Sequence, residues 1–264
     1  MIVSTYHAHS TYSDGKNTLE EMVQAAINSG MKEIGFTDHA PMQFFCDWSM
    51  DASKVQDYKS EVLALREKYK DQIKIFLGIE QDYYSIDADP DYDFILGSVH
   101  YVYKNGQYLS VDISASEVHD FINKEYNGDA YAYCEDYFKL VGDIYEKTKC
   151  NIIGHFDLVT KFNERIPMID INNPRYVKAY TEALNKLLKS PAIFEINTGA
   201  ISRGYRTTPY PDNNMIDLIA KSGKPFAICS DTHNIESVAC NLENEREKLD
   251  KKGYKYIKSL LEIL

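Results

Sequence analysis

Short apolar runs alternate along this chain with longer segments in which apolar residues recur every three to four positions. The first pattern is that of a buried strand, the second that of a helix laid on a sheet. Seven runs read as strands: "IVSTYHAH", "EIGFTDH", "IKIFLGIE", "DFILGSVH", "NIIGH", "AIFEINTG" and "PFAICSDTH". Between them the helical period predicts helices over 18–29, 52–69, 131–148, 174–189 and 213–221, with Gly30 and Gly223 as stop signals for the first and last. Over 18–29, Leu19, Met22, Val23, Ala26 and Ile27 share one face, the stripe that packs a helix on a sheet. A charged helix, "LENEREKLDKKG", precedes "YKYIKSLLEIL", whose pattern fits strand and helix alike. Alternating β and α units predict a parallel sheet, and seven units favour a closed α/β barrel over an open sheet. No repeat or linker divides the chain, so one domain over 1–264 is expected.

Two stretches depart from the repeating unit: "APMQFFCDWSM" after the second strand, and 101–127 after the fourth. Both follow strand C-termini, where barrel loops build active sites, so both are candidate lids.

Composition narrows the class. Lys and Arg total 29 against 40 Asp and Glu, a net charge of -11, which argues against nucleic acid or an anionic membrane surface as partner. An anionic small-molecule substrate would then need a local cationic site. The N-terminal segment lacks a signal-peptide pattern and no apolar run is long enough to span a bilayer, so a cytoplasmic protein is expected. Five scattered cysteines, none spaced C-x-x-C, suggest neither a disulfide framework nor a thiolate zinc site.

Of seven histidines, six fall at the ends of these apolar runs: His7, His9, His39, His100, His155 and His233. Carboxylates share the layer: Asp14 in "TYSDG", Glu80 closing "FLGIE", and Asp231 in "SDTH", with Asp38 beside His39. Mixed His and carboxylate donors without Cys suit Zn, Mn or Fe(II), not structural thiolate zinc or an all-oxygen calcium site. Nine donors exceed what one ion uses, so two or three ions sharing a bridge are expected, with Glu80 the natural bridge. His119, on the amphipathic "SEVHDFI", reads as a non-ligand.

The chain contains no nucleophile elbow, phosphate-binding P-loop, dinucleotide-binding glycine turn or H-E-x-x-H helix. Cationic candidates for a phosphoryl group are Lys161 and Arg165 in "TKFNER", and Arg203 and Arg206 in "AISRGYR". Arg203 is the strongest, because it follows the end of the one strand that offers no metal ligand, the sector open to substrate.

The H-x-H pair with "SDG", "TDH", "GIE", "GSVH", "GH" and "SDTH" resembles the polymerase and histidinol phosphatase (PHP) family, and most of all its stand-alone histidinol-phosphatases. That resemblance implies a distorted (β/α)7 TIM-like barrel with a trinuclear metal centre at the C-terminal ends of its strands. It implies His7, His9, Glu80 and Asp231 on one ion, Glu80, His100 and His155 on a second, and Asp14, His39 and His233 on a third. The implied reaction is hydrolysis of L-histidinol phosphate in histidine biosynthesis. A metal-bridging hydroxide would be the nucleophile, with Glu80, Asp231 and His233 in catalytic roles and Arg203, Lys161 and Arg206 binding substrate. The leaving oxygen would take its proton from water, His233 or Asp231. A phosphoesterase acting on nucleotides or other small esters fits the same donors. A non-catalytic metal-binding module fits less well, because the donor set is unbroken.

Overall fold

The computed structural model describes residues 4–88 and 90–264; the start of the first predicted strand, at residues 2 and 3, lies outside them. In chain order the elements are β1 (Ser4–Thr5), α1 (Leu19–Asn28), β2 (Glu33–Phe36), α2 (Val55–Lys68), β3 (Lys74–Asp82), β4 (Phe94–Ser98), β5 (Tyr101–Lys104), β6 (Gln107–Ser110) and α3 (Ala115–Glu125). There follow α4 (Ala130–Val141), α5 (Ile144–Thr148), β7 (Ile152–Ile153), α6 (Pro174–Leu187), β8 (Ile193–Asn197), α7 (Gly199–Ser202), α8 (Asn213–Lys221), β9 (Phe226–Cys229) and α9 (Leu242–Lys252). All seven predicted strands form, and they lie parallel in the order β1-β2-β3-β4-β7-β8-β9. Beyond the strand ends, an Ala8–Thr232 bridge joins the two edges, with the His9 amide donating to the Thr232 carbonyl at 2.9 Å. The sheet is therefore a nearly closed barrel, irregular where β1 meets β9.

Strand alternation sorts side chains between the barrel interior and the surrounding helices. On β8, Phe194 and Ile196 join the large outer core, whereas Ile193 joins an inner cluster with Tyr6, Phe76, Phe94, Leu96, Ile152 and Cys229. Phe94 fills the barrel floor because two strands make room for it. A Cβ on Gly78 would stand 2.4 Å from its ring, and one on Gly35 2.8 Å. Burying such a phenyl ring is worth roughly 1.5–3 kcal/mol. The floor is closed by "YKYIKSLLEIL", which is neither a regular strand nor a long helix. Tyr256 bridges to Phe226, and a 3-10 turn at Leu260–Glu262 follows. Ile257 and Leu260 enter the inner cluster, while Ser259 and Tyr6 both donate to Glu33 at 2.7 Å.

Local chemistry sets the helix ends. Thr18 and Glu21 form a capping box on α1, Pro174 opens α6 behind the Asn173 cap, and Gly253 closes α9 in the left-handed region at φ 68°. The helix expected over 131–148 divides into α4 and α5 at Gly142. Gly142 caps α4, and α6 packs close beside it: a Cβ there would stand 3.1 Å from the Ala183 Cα. The segment 101–127 is ordered as the antiparallel hairpin β5–β6 followed by α3. Among the described residues no helix is long and apolar enough to cross a membrane.

Candidate metal centre

The parallel strands bring all nine sequence-predicted donors to one end of the barrel. Glu80, near the end of β3, is their centre. Its Oε2 lies 3.1 Å from His7 Nε2, 2.9 Å from His39 Nδ1 and 3.5 Å from His9 Nε2. Its Oε1 lies 3.0 Å from His155 Nε2 and 3.6 Å from His100 Nε2. Asp14 stands 3.2 Å from His233 and 3.6 Å from His39, and Asp231 stands 3.4 Å from His9. Four overlapping groups have donor atoms within 4.8 Å of one another: His9, Asp14, His39 and His233; His7, Glu80 and His155; His7, His9 and Asp231; His39, Glu80 and His100. His119 is apart from them, exposed on α3 beside Asn123.

The backbone is shaped to aim these groups. His7 and His9 present neighbouring imidazoles with centroids 5.0 Å apart. Asp38 is turned away from the cluster: it accepts from the amides of Ser10 and Ser13 and from both hydroxyls, and so ties the turn carrying Asp14 to the end of β2. Asp231 sits in the left-handed region at φ 47°, a conformation costing about 1–3 kcal/mol in a residue other than glycine. Such strain persists where the surroundings dictate a side chain's direction.

Electrostatics make the cluster a cation site. Burial would raise the Glu80 carboxyl, but His39, His7 and His100 outweigh it and hold the group well below the usual carboxylate range. For Asp231 burial is likewise outweighed, by Arg203 and His7, and the group stays ionised. Burial lowers His7, yet Glu195, Glu80 and Asp231 hold its pKa well above the ordinary imidazole value. His9 goes the other way: burial, with His233 and His39 adding to it, lowers it to about 3, so its ring is neutral. Both His9 ring nitrogens are buried without a hydrogen-bond partner, as is His155 Nδ1. Ionised buried carboxylates beside imidazole nitrogens that lack hydrogen-bond partners are the surroundings a divalent cation requires. The residues therefore fit divalent metal.

A cavity of about 400 Å³ opens over the cluster, lined by donors of the cluster together with Trp48, Tyr101, Asp112, Lys161, Arg203 and Tyr205. Arg203 donates from Nη2 to Asp231 Oδ2 at 3.0 Å and from Nη1 to the Asp231 carbonyl at 2.9 Å, beside His233. Lys161 Nζ, also in the wall, is held by Asp112 at 3.0 Å. Arg206 is elsewhere: it is buried, donates to Thr160 Oγ1 at 2.6 Å, pairs with Asp157 at 3.4 Å and covers the Tyr210 ring. It does not line the cavity, and its expected contact with substrate gives way to tying the loops after β7 and β8 together. Arg165 reaches the Gly204 carbonyl.

Of the two lid candidates, the loop after β2 packs on the hairpin. Phe44 stacks on Tyr108 at 4.0 Å, and Trp48 donates to Tyr101 Oη at 3.2 Å while its ring edges His39 at 4.5 Å. Phe45 is 94% exposed and covers nothing. Gly199 leaves the space that Asp231 and Arg203 occupy: a Cβ there would stand 2.6 Å from Asp231 Oδ2 and 2.8 Å from Arg203 Nη2. Gly199→Ala is accordingly expected to cost about 1–3 kcal/mol and lower the melting temperature by roughly 2–12 °C in a thermal melt.

Two further carboxylates that sequence reasoning missed face imidazoles of the cluster. Asp82 lies 3.2 Å from His100 Nδ1, and Glu195 lies 3.0 Å from His7 Nδ1. The available signal was a lone acid inside an otherwise apolar run, "AIFEIN", since a buried Glu needs a partner.

The PHP domain matches residues 5–199. A Schizosaccharomyces pombe protein named "Probable histidinol-phosphatase" is 27% identical over 94% of this chain and 86% of its own length. The Bacillus subtilis histidinol-phosphatase is 24% identical over 88% of this chain and 94% of its own. Among solved structures, the histidinol phosphate phosphatase of Lactococcus lactis subsp. lactis, complexed with zinc, L-histidinol and phosphate, superposes with a TM-score of 0.74 at 22% identity. It covers 97% of this chain and 95% of the other. The barrel, the donors gathered at its C-terminal end and the match over most of the chain lead to one conclusion: this chain belongs to the PHP domain family.

Proposed function

We propose that this protein is a divalent-metal-dependent phosphomonoesterase, a single catalytic domain that hydrolyses L-histidinol phosphate to L-histidinol and phosphate. The observation that carries the reading is Glu80, an ionised carboxylate met by five imidazoles, beneath a cavity whose wall holds Arg203. The named activity of the fungal and bacterial relatives supplies the substrate. Three ions, of Zn, Mn or Fe, would be shared out as His7, His9, Glu80 and Asp231; Glu80, His100 and His155; and Asp14, His39 and His233. Two close groupings match parts of that division, Asp14, His39 and His233 together with His9, and His7, His9 and Asp231; the other two join His155 to His7 and His100 to His39 through Glu80. When bound, such ions supply Lewis acidity toward phosphoryl oxygens and bring the pKa of a coordinated water toward about 7.

The chain's own groups do the rest. Arg203 presents a planar fork, pre-set by Asp231, to phosphoryl oxygens, and Lys161 adds a second positive charge from the neighbouring loop after β7. Trp48 and Tyr101 offer a flat aromatic wall for an imidazole and keep water from that side. The leaving oxygen takes its proton from water or from His233, which lines the cavity beside Arg203; Asp231, held ionised, has none to give.

The test is phosphate release from L-histidinol phosphate, nucleoside monophosphates and sugar phosphates, with the protein loaded in turn with Mn, Zn and Fe. Histidinol phosphate is expected to be preferred in kcat/KM by at least about tenfold. No hydrolysis of it with any of the three metals overturns the reading, and turnover of another ester would put that ester in its place. Arg203→Met is expected to lower kcat/KM by about 10²–10³ and to weaken product inhibition by inorganic phosphate, because one pre-oriented donor to the phosphoryl group is lost.

A further inference from the structure

β8 gives no residue to the nine-donor cluster, yet Glu195 at its middle is buried against it, 1% exposed. We infer that Glu195 is a positioning residue for metal binding, acting through His7; the inference rests on the metal reading of the cluster given above. Alternation along β8 turns Glu195 and Asn197 inward while Phe194 and Ile196 join the outer core. The Glu195 Oε2 then lies 3.0 Å from His7 Nδ1, while the other ring nitrogen, Nε2, faces Glu80 at 3.1 Å. The imidazole is divided between two carboxylates on opposite sides. A ligating nitrogen must be free of its hydrogen, so the hydrogen belongs on the other nitrogen, and an acceptor there fixes the tautomer and the ring plane.

The second oxygen of the same carboxylate serves neighbouring donors. Glu195 Oε1 accepts from the His155 backbone amide and from Asn197 Nδ2 at 2.8 Å, and that Asn197 amide also donates to Asp231 Oδ2 at 3.2 Å. One buried carboxylate thus sets His7 directly, His155 through its backbone and Asp231 through Asn197. Glu195 does not line the cavity.

Zinc titration against a chromophoric chelator, on the full chain and without substrate, tests this. Glu195→Gln keeps the volume but offers an amide that can donate to Nδ1 and push the ring hydrogen onto Nε2. The expected result is 10- to 100-fold weaker binding of one zinc, with kcat restored at saturating metal. In a His7→Asn background the same change is expected to cost much less than it does alone, only the share carried through His155 and Asp231 remaining. Unaltered zinc affinity in the single variant, or an equal further loss in the double variant, overturns the inference. Should the variants fold poorly, ¹⁵N-histidine spectra of the zinc-loaded wild type decide: the His7 ring hydrogen is expected on Nδ1, and finding it on Nε2 overturns the inference. Wild-type protein that binds zinc but hydrolyses no ester counts against the proposed reaction, not against the role of Glu195.

Discussion

Glu80→Gln is expected to lower kcat for L-histidinol phosphate by about a thousandfold or more and to lose one or two metal ions per chain. Glutamine preserves the shape of the side chain, so the outer core against which β3 packs is undisturbed. What disappears is the negative charge at the centre of the cluster, where both carboxylate oxygens face imidazoles within 3.6 Å. A neutral amide bridges two cations poorly, and its NH₂ end turns a donor toward nitrogens that must themselves remain acceptors. Metal stabilisation of phosphoryl charge is worth several kcal/mol, and about 4 kcal/mol corresponds to a factor of about 10³ in rate. Steady-state kinetics with metal content measured on the same preparation provides the check. Wild-type turnover with a full complement of metal would remove Glu80 from the mechanism.

Glu80 is also the residue for which sequence and structure agree most closely. It closes an apolar run two residues before β3 ends, and the same logic located His39, His100, His155, Asp231 and His233. A charged or imidazole side chain at such a place interrupts a hydrophobic pattern, and the interruption is visible without coordinates. The closing of the barrel was less visible. The Ala8–Thr232 bridge joins residues more than two hundred positions apart and leaves no local trace. The room that a glycine leaves at 142 is taken up by Ala183, and that approach is again a long-range fact.

Basic residues were the least legible. Arg203 and Arg206 stand three apart after the same strand, and composition cannot separate them. Packing separates them completely: Asp231 draws Arg203 into the cavity wall, and Asp157 and Thr160 draw Arg206 into the core behind it. Glu195 was hidden for the opposite reason. It lies in mid-strand, not at a strand end, and the role inferred for it comes from His7, near the end of β1, and from the His155 amide just beyond the neighbouring β7.

Chelation of the metals is expected to abolish phosphatase activity and to lower the melting temperature by roughly 10 °C per ion lost, both reversed on adding Mn, Zn or Fe. The activity loss follows from the Lewis acid being the main source of positive charge over the cluster. The stability loss follows from linkage. A ligand present at about a thousand times its dissociation constant stabilises the folded state by about 4 kcal/mol, and in a chain of this size each kcal/mol moves the melting temperature by about 2–4 °C. The donors come from both ends of the sequence, His7 to Asp14 and Asp231 to His233, with Glu80, His100 and His155 between. An ion held among them pins β1 to β9 at the seam where few backbone hydrogen bonds close the barrel. Hydrogen exchange should therefore show the largest loss of protection on chelation at His9, Thr37 and Thr198, whose amides bond to Thr232, Ala8 and Cys229 across neighbouring strand ends. A melting temperature and an exchange pattern indifferent to chelator would mean that the cluster is held together by its own ion pairs, and that metal is not part of the folded enzyme.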